Sequence, residues 1–307
     1  MAKTEGRILV TGANGSVGSH LVRALAESGW DVVAGVRRKA DASFPNVQIV
    51  EYGDVASSDA SFPPLDGITQ IVHLAGSAKA PPSAGPDYLQ TVNCKATLKL
   101  AEQAEKSGVE HFVFVSSASV YERPERRSGA MVKTIAPDSD YGRSKLHAEN
   151  QLAAKIREMA VTIVRPSLVI GTDVGGNTAR IVSAIRRGAP LPLGSADNNR
   201  RDFVSIGVLV EYLEKCLSDR SLWRANVTVT DHEPISTRQL IVNLGHELGK
   251  KPWLVPISEP LLRKAIALVS PKLASQLLDD YVIDPSLLPS DGGWIRSSLE
   301  NISRRHL

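Results

Sequence analysis

Arg7-Ile8-Leu9-Val10-Thr11-Gly12-Ala13-Asn14-Gly15-Ser16-Val17-Gly18 lies near the start of the chain, and Ser19-His20-Leu21-Val22-Arg23-Ala24-Leu25-Ala26-Glu27 follows it. This stretch reads as strand, tight turn and helix. Val17, Leu21 and Leu25 recur at helical spacing with Ala24 beside them, so the helix has one apolar face. Gly12 and Gly15 let the backbone turn sharply and approach a ligand, and Gly18 lets the helix lie close on the strand. Free N–H groups and the dipole at the helix start make an anion site of the size of a dinucleotide pyrophosphate. Trp30-Asp31-Val32-Val33-Ala34-Gly35-Val36 supplies the second strand of a βαβ unit, the context a glycine triplet needs to mean cofactor binding rather than a plain turn.

The 307-residue chain is long enough for a large core, in one domain or two closely associated ones. Its formal net charge of +3 comes from scattered Lys and Arg with few aromatics, which does not point to nucleic acid. Cys94 and Cys216 cannot build a disulfide framework, and no cysteine–histidine cluster has metal-ligand spacing, so no metal is expected. No apolar run reaches the length of a membrane span, and Met1-Ala2-Lys3-Thr4-Glu5 has no signal-peptide core. The expectation is a soluble cytoplasmic protein.

Further along, Arg37 and Arg38 follow the second strand directly, and Val36 stands where NAD binders carry an acid for the ribose 2′-OH. Guanidinium groups suit a 2′-phosphate, so NADP is expected, with NAD possible; a solvated basic loop is the alternative. The stretch 47–52 reads as a third strand, and Asp54-Val55 in the turn after it can hold an adenine edge. A fourth strand ends in His73-Leu74-Ala75-Gly76-Ser77, whose small residues let a dinucleotide pass over the tip; His73 reads as a hydrogen-bonded core histidine. On the long helix from Tyr88, Asn93 sits one residue off the apolar stripe of Leu89, Val92, Ala96, Leu100 and Ala104, either as a polar surface residue or buried in support of a site.

The fifth strand, 110–115, runs into Ser116-Ser117-Ala118-Ser119-Val120-Tyr121, which places serines at the carboxyl end of a parallel strand, where ligands bind. A polar loop over 122–139 leads to Asp140-Tyr141-Gly142-Arg143-Ser144-Lys145 at the start of another helix. Tyr141 and Lys145, four apart, share one helix face. A free phenol titrates near ~10, and a neighbouring ammonium lowers that value, giving a proton donor–acceptor for an alcohol or ketone.

These pieces together resemble the extended short-chain dehydrogenase/reductase family, also called the NAD-dependent epimerase/dehydratase family. The matching motifs are residues 11–18, 73–76, 115–121 and 141–145, in the family's order and spacing. The resemblance implies an α/β fold: a Rossmann-type doubly wound parallel sheet with a smaller C-terminal substrate-binding domain. The expected division is a dinucleotide-binding domain over 1–165, with 203–230 returning to it, and a substrate domain over 166–307. It implies Tyr141 as the proton-transfer residue, Lys145 as its partner and a nicotinamide-ribose contact, and Ser117 as the catalytic serine. The implied cofactor contacts are Gly12, Asn14, Gly15, Ser16, Val17, Gly18, Arg37, Arg38, Asp54, Val55, Leu74, Ala75, Gly76 and Asn93, together with Tyr141 and Lys145. Ser77 and Ser119 are the implied sugar-side contacts. In sugar-nucleotide members an asparagine and an arginine hold the diphosphate, and Asn177 and Arg201 match them, although Arg200-Arg201 balanced by Asp202 also reads as a surface pair.

The expected activity is NADPH-dependent reduction of a 4-keto group on a nucleoside-diphosphate sugar. The alternatives are a UDP-sugar 4-epimerase with retained NAD, a reductase or dehydrogenase of an apolar alcohol, and a non-catalytic NADP-sensing regulator. A homodimer through the helices near 88–105 and 141–157 is the pairing the family suggests. The tail from Asp279 carries little pattern, and no counterpart of a late second diphosphate arginine stands out, Arg296 being too far along.

Overall fold

The elements run β1 (Arg7–Thr11), α1 (Ser16–Glu27), β2 (Asp31–Val36), β3 (Gln48–Glu51) and β4 (Ile68–His73). Then α2 (Tyr88–Gln90), a π-helical turn (Thr91–Lys95) and α3 (Ala96–Lys106) follow without a break. Next come β5 (His111–Val115), α4 (Asp140–Lys155), β6 (Ala160–Pro166), β7 (Leu168–Ile170), α5 (Gly176–Arg187), β8 (Phe203–Ser205) and α6 (Ile206–Ser218). The chain continues with β9 (Asn226–Val229), α7 (Thr237–Glu247), α8 (Glu259–Val269) and α9 (Pro271–Leu278). This computed structural model describes residues 6–39, 43–56, 62–123, 129–231 and 233–289.

Among the described residues, seven strands form one parallel sheet in the order β3-β2-β1-β4-β5-β6-β9. This is the doubly wound sheet expected from the sequence. The order reverses between β1 and β4, and right-handed crossovers then put α1 and α3 on opposite faces. The reversal opens a crevice at the carboxyl ends of β1 and β4, which is where the glycine turn lies. Strands covered on both faces carry unbroken apolar sequence, and every residue of β5 is buried. Leu9, Ile71, Phe112 and Phe114 pack with Leu100 and Ala104 of α3 and Ala148 and Leu152 of α4.

The chain divides into two units. The first takes residues up to Tyr121, Ile135–Pro166 and Gly207–Val229, and holds the seven-stranded sheet. The second takes Glu122–Thr134, Ser167–Ile206 and the chain from Thr230. It has its own core, where Val182 and Ile185 of α5 cluster with Leu240, Ile241 and Leu244 of α7 and with Leu262 and Leu278. Two segments fall on the other side of the expected division. Phe203–Ser205 pairs in parallel with β7 rather than with the main sheet, and Glu122–Thr134 belongs to the second unit. Short-range pattern could not reveal either, because both are pairings between stretches far apart in sequence. The weakly patterned tail also acquires structure: Tyr281 bridges Arg201 and Ile283 bridges Val132. The glycine pair at 292–293 and Arg296 lie outside the described residues.

Candidate active site

Gly12 has φ +69° and starts the turn after β1. A side chain on Gly18 would put its Cβ 2.2 Å from the Gly12 carbonyl oxygen, so only glycine allows α1 this close to the turn. Gly15 is the N-cap of α1, with no side chain capping the helix and no acidic residue in its first turn. The amino end of α1, its dipole uncontested by a carboxylate, therefore suits the pyrophosphate of a dinucleotide. Asn14 and Gly15 are exposed, and Ser16 and Val17 half-buried, at this turn. Across the crevice, Leu74 N–H donates to the Thr11 carbonyl at 3.2 Å, and Ala75 N–H to Thr11 Oγ1 at 3.4 Å. The β4 exit is thereby tied to the β1 exit. His73 sits beneath, its ring nitrogens bonded to Thr11 Oγ1 (2.7 Å) and Thr97 Oγ1 (2.9 Å), and burial pushes it down to about 3. It is a neutral core histidine, as expected from its apolar surroundings in sequence.

Tyr52 was not singled out by sequence, yet its hydroxyl accepts the Gly12 N–H at 3.2 Å from the end of the third strand. Its phenol is raised by burial and lowered by the Gly12 bond and by the charge of Arg37. Arg37 and Arg38 both stand exposed after β2. Asp54 is exposed, and its Oδ1 accepts the Ala56 N–H at 3.0 Å; Val55 between them is half-buried.

Asn93 is fully buried because the π-helical turn adds a residue and swings it off the α-helical register. Its Oδ1 accepts the Ser77 N–H, and its Nδ2 donates to the Ser77 carbonyl, each at 2.8 Å. The same Nδ2 reaches Ser144 Oγ at 2.9 Å, and Ser144 Oγ donates to the Tyr141 carbonyl at 2.8 Å. Asn93 thus joins the β4 exit to the first turn of α4. Gly76 lies over this joint: a Cβ there would stand 2.9 Å from Asn93 Oδ1 and 3.4 Å from Lys145 Nζ.

α4 is capped by Ser139, whose Oγ accepts the Gly142 N–H at 3.1 Å. Gly142 allows the helix to meet the serine loop, since a Cβ there would fall 2.1 Å from the Ser119 carbonyl oxygen. Ser117 Oγ accepts the Ser119 N–H at 3.1 Å and is also hydrogen-bonded to the Tyr141 phenol. The structure therefore brings Ser117, Ser119, Tyr141 and Lys145 together beside Asn93 and Gly76. Lys145 is buried, donates to the Val115 carbonyl at 2.9 Å and lies 4.7 Å over the Phe114 ring. Burial lowers it to about 8, opposed by the charge of Glu149.

Burial raises the Tyr141 phenol, and the hydrogen bond from Ser117 lowers it. The Lys145 ammonium, one helical turn on, is anchored on the Val115 carbonyl beneath.

Sequence reasoning also missed the groups behind Lys145. Glu149 and Arg165, both buried, form a two-point ion pair at 3.0 and 2.6 Å. Arg165 also donates to Tyr121 Oη at 3.0 Å, and that oxygen shares a hydrogen bond with Thr228 Oγ1 at 2.8 Å. The available signal was Glu149 at two turns from Tyr141 along the same helix face.

In the second unit, Arg201 is only 7% exposed, which removes the surface-pair reading. Its Nη1 donates to the Asp279 carbonyl at 2.8 Å, and its guanidinium lies 5.7 Å from the Tyr281 ring. Its buried Nε has no hydrogen-bond partner among the described residues. Burial lowers it to about 10. Asn177 lies in the first turn of α5, and its side chain is outside the described residues.

A family model described as the NAD dependent epimerase/dehydratase family matches residues 8–221. A UDP-glucose 4-epimerase of Vibrio cholerae is 34% identical over 259 residues, which cover 81% of this chain and 78% of that protein. MoeE5, solved in complex with UDP-glucuronic acid and NAD, matches with a TM-score of 0.68 at 26% identity, covering 98% of this chain and all (100%) of that one. A Thermus thermophilus UDP-glucose 4-epimerase in complex with NAD has the same fold, with a TM-score of 0.68 at 22% identity over 97% of this chain and 99% of that one.

Proposed function

This chain belongs to the NAD-dependent epimerase/dehydratase family and is an enzyme of the extended short-chain dehydrogenase/reductase type, and on that premise we propose that it is a nucleoside-diphosphate-sugar 4-epimerase. The observation that carries the reading is the Tyr141 phenol bonded to the Ser117 hydroxyl, one helical turn from Lys145 and beside the β4 exit that closes on the glycine turn. The likeness to the Vibrio 4-epimerase over most of both chains favours epimerisation over simple 4-keto reduction.

Bound NAD supplies reversible hydride transfer. Tyr141 takes the proton of the sugar 4-hydroxyl in one half of the cycle and returns it in the other. Burial raises the Tyr141 phenol, which suits proton donation to a keto oxygen, and the Ser117 hydrogen bond lowers it, which favours the phenolate that accepts the 4-hydroxyl proton in the other half. Lys145 fixes the floor of the site and suits the nicotinamide ribose through its ammonium. Gly12, Gly15 and Gly18 with Asn14, Ser16 and Val17 suit the pyrophosphate; Asp54 and Val55 suit the adenine; Leu74, Ala75, Gly76 and Asn93 line the cofactor's path. Ser77, Ser119, Asn177 and Arg201 are the proposed substrate contacts, the last through its Nε, which has no hydrogen-bond partner among the described residues.

A second reading keeps one observation: β2 ends in buried Val36, followed by exposed Arg37 and Arg38, where an acid would hold a ribose 2′-OH. It is an NADPH-dependent 4-keto reductase of a nucleotide sugar. The two are separated by incubating the purified enzyme with UDP-glucose without added cofactor. Formation of the 4-epimer supports the epimerase. Turnover of a 4-keto sugar nucleotide only on adding NADPH supports the reductase, and activity with neither class of substrate sinks both. Homodimer formation through the helices near 88–105 and 141–157 belongs to the same proposal, and sedimentation velocity tests it. Among the described residues no helix is long and apolar enough to cross a membrane, and a cytoplasmic location is proposed with the rest.

A further inference from the structure

Three residues of α4, spaced by four, grip three consecutive residues at the β5 exit. Tyr141 is bonded to Ser117, Lys145 donates to the Val115 carbonyl at 2.9 Å, and Glu149 accepts from the Ser116 hydroxyl at 2.5 Å. Consecutive turns of one helix face thus read out a single strand end. The lowest rung differs in kind from the other two. Glu149 is held at both oxygens by Arg165 on β6, and Arg165 is held by Tyr121 Oη, which bonds Thr228 on β9. The Ser116 hydroxyl and the Arg165 guanidinium therefore meet on one carboxylate, with Tyr121 and Thr228 backing the guanidinium. Burying an ion pair is costly, and a well-packed apolar pair would usually do as well for stability alone.

We propose that Glu149 is a positioning residue: clamped by Arg165, it sets the height of the Val115-Ser116-Ser117 strand end against α4, and so places the Ser117 hydroxyl and the Lys145 ammonium for the proton transfer at Tyr141. The two residues that carry those contacts, Val115 and Ser117, flank Ser116 in the chain, so a shift of this one rung displaces both. The Glu149 carboxylate also faces the Lys145 ammonium one turn away. Among the described residues, His73 on β4, neutral in the fold, also feels that ammonium, while Tyr141 stands one turn back on α4 and Arg165 lies beyond Glu149. Glu149 is thus the negative charge that keeps Lys145 protonated against burial.

The inference builds on the proposed proton-transfer site for turnover, but its first readout needs no substrate. Lys145 is titrated by NMR in the whole enzyme labelled at lysine, with Lys145→Met assigning its signal. In Glu149→Gln the Lys145 midpoint falls from about 8 by about one pH unit. If turnover is present in the native enzyme, kcat in this variant falls by about tenfold or more, with KM within about twofold. Ser116→Ala keeps the ion pair and loses the rung alone; its unfolding temperature stays close to native while kcat falls in the same way. A Lys145 midpoint that does not move in Glu149→Gln overturns the proposal, as does a native kcat in Ser116→Ala. If Glu149→Gln fails to fold because Arg165 is left unpaired, Ser116→Ala decides: a native kcat or, where the native enzyme shows no turnover, a native Tyr141 midpoint overturns it. A native enzyme that turns over no nucleotide sugar sinks the functional reading alone, since both titrations remain readable.

Discussion

Replacing Gly18 by alanine tests the nucleotide cradle directly. The added Cβ would stand 2.2 Å from the Gly12 carbonyl oxygen and 2.9 Å from Ala13 Cα, both main-chain atoms that cannot rotate away. Ordinary contact begins at 3.4 Å, so α1 has to retreat from the turn. Overpacking of this kind costs about 1–3 kcal/mol, and alanine's better helix propensity returns only about 1 kcal/mol of it. The same carbonyl accepts the Gly15 N–H at 2.9 Å, so the retreat also disturbs the turn that shapes the amino end of α1. We expect Gly18→Ala to lower the unfolding temperature by roughly 2–6 °C and to weaken NAD binding by about tenfold or more. Thermal unfolding with and without NAD, together with calorimetric titration, measures both. Gly85→Ala is the control: Gly85 has no neighbour within 4 Å of a built Cβ and should behave as wild type. Unchanged stability and NAD affinity in Gly18→Ala would refute the claim that close approach is what this glycine provides.

Tyr141→Phe should leave the fold intact and reduce kcat by about 10²–10⁴, far more than any loss in cofactor affinity; a non-catalytic sensor would lose little in a nucleotide-binding assay and have no turnover to lose. Arg37→Glu together with Arg38→Ser should favour NAD over NADP if these side chains meet a 2′-phosphate, and an unchanged NAD/NADP affinity ratio would show them to be solvated surface. His73, held at about 3 against an ordinary 6.5, contributes stability that is present above pH 6.5 and is lost as pH falls toward 3. That amounts to about 2 kcal/mol between about pH 7.5 and 5. His111, lowered to about 4, acts in the same direction, whereas Asp202 and Asp231, raised to about 6, stabilise more as pH falls and lose that contribution as pH rises through 6. The test is therefore a difference: urea unfolding of His73→Gln at the two pH values should show a flatter loss than wild type, and parallel losses would contradict the assignment.

Much of the candidate site was legible because its parts are local. Gly12, Gly15 and Gly18 mark a turn whose geometry only a few residues determine, and Tyr141 and Lys145 share a face through helical periodicity alone. Asn93 shows where that logic ends. Its distance from the apolar stripe suggested either surface or core, and the π-helical turn that buries it depends on Ser77 and Ser144 being there to satisfy its amide. Arg201 is the same case in the second unit. Charge and position suggested a diphosphate ligand or a surface pair, while its burial under Tyr281 comes from a tail segment with no readable pattern of its own.

Taken by itself, the sequence determined the parallel sheet, the glycine cradle and the tyrosine–lysine helix, because apolar periodicity and turn chemistry act within a few residues. Only the tertiary structure decided which way the Tyr141 phenol is shifted, where the Lys145 ammonium is anchored, and that Glu149, Arg165, Tyr121 and Thr228 stand behind them. Those outcomes follow from burial and from hydrogen bonds between groups dozens of residues apart, and neither quantity exists until the strands have been laid side by side.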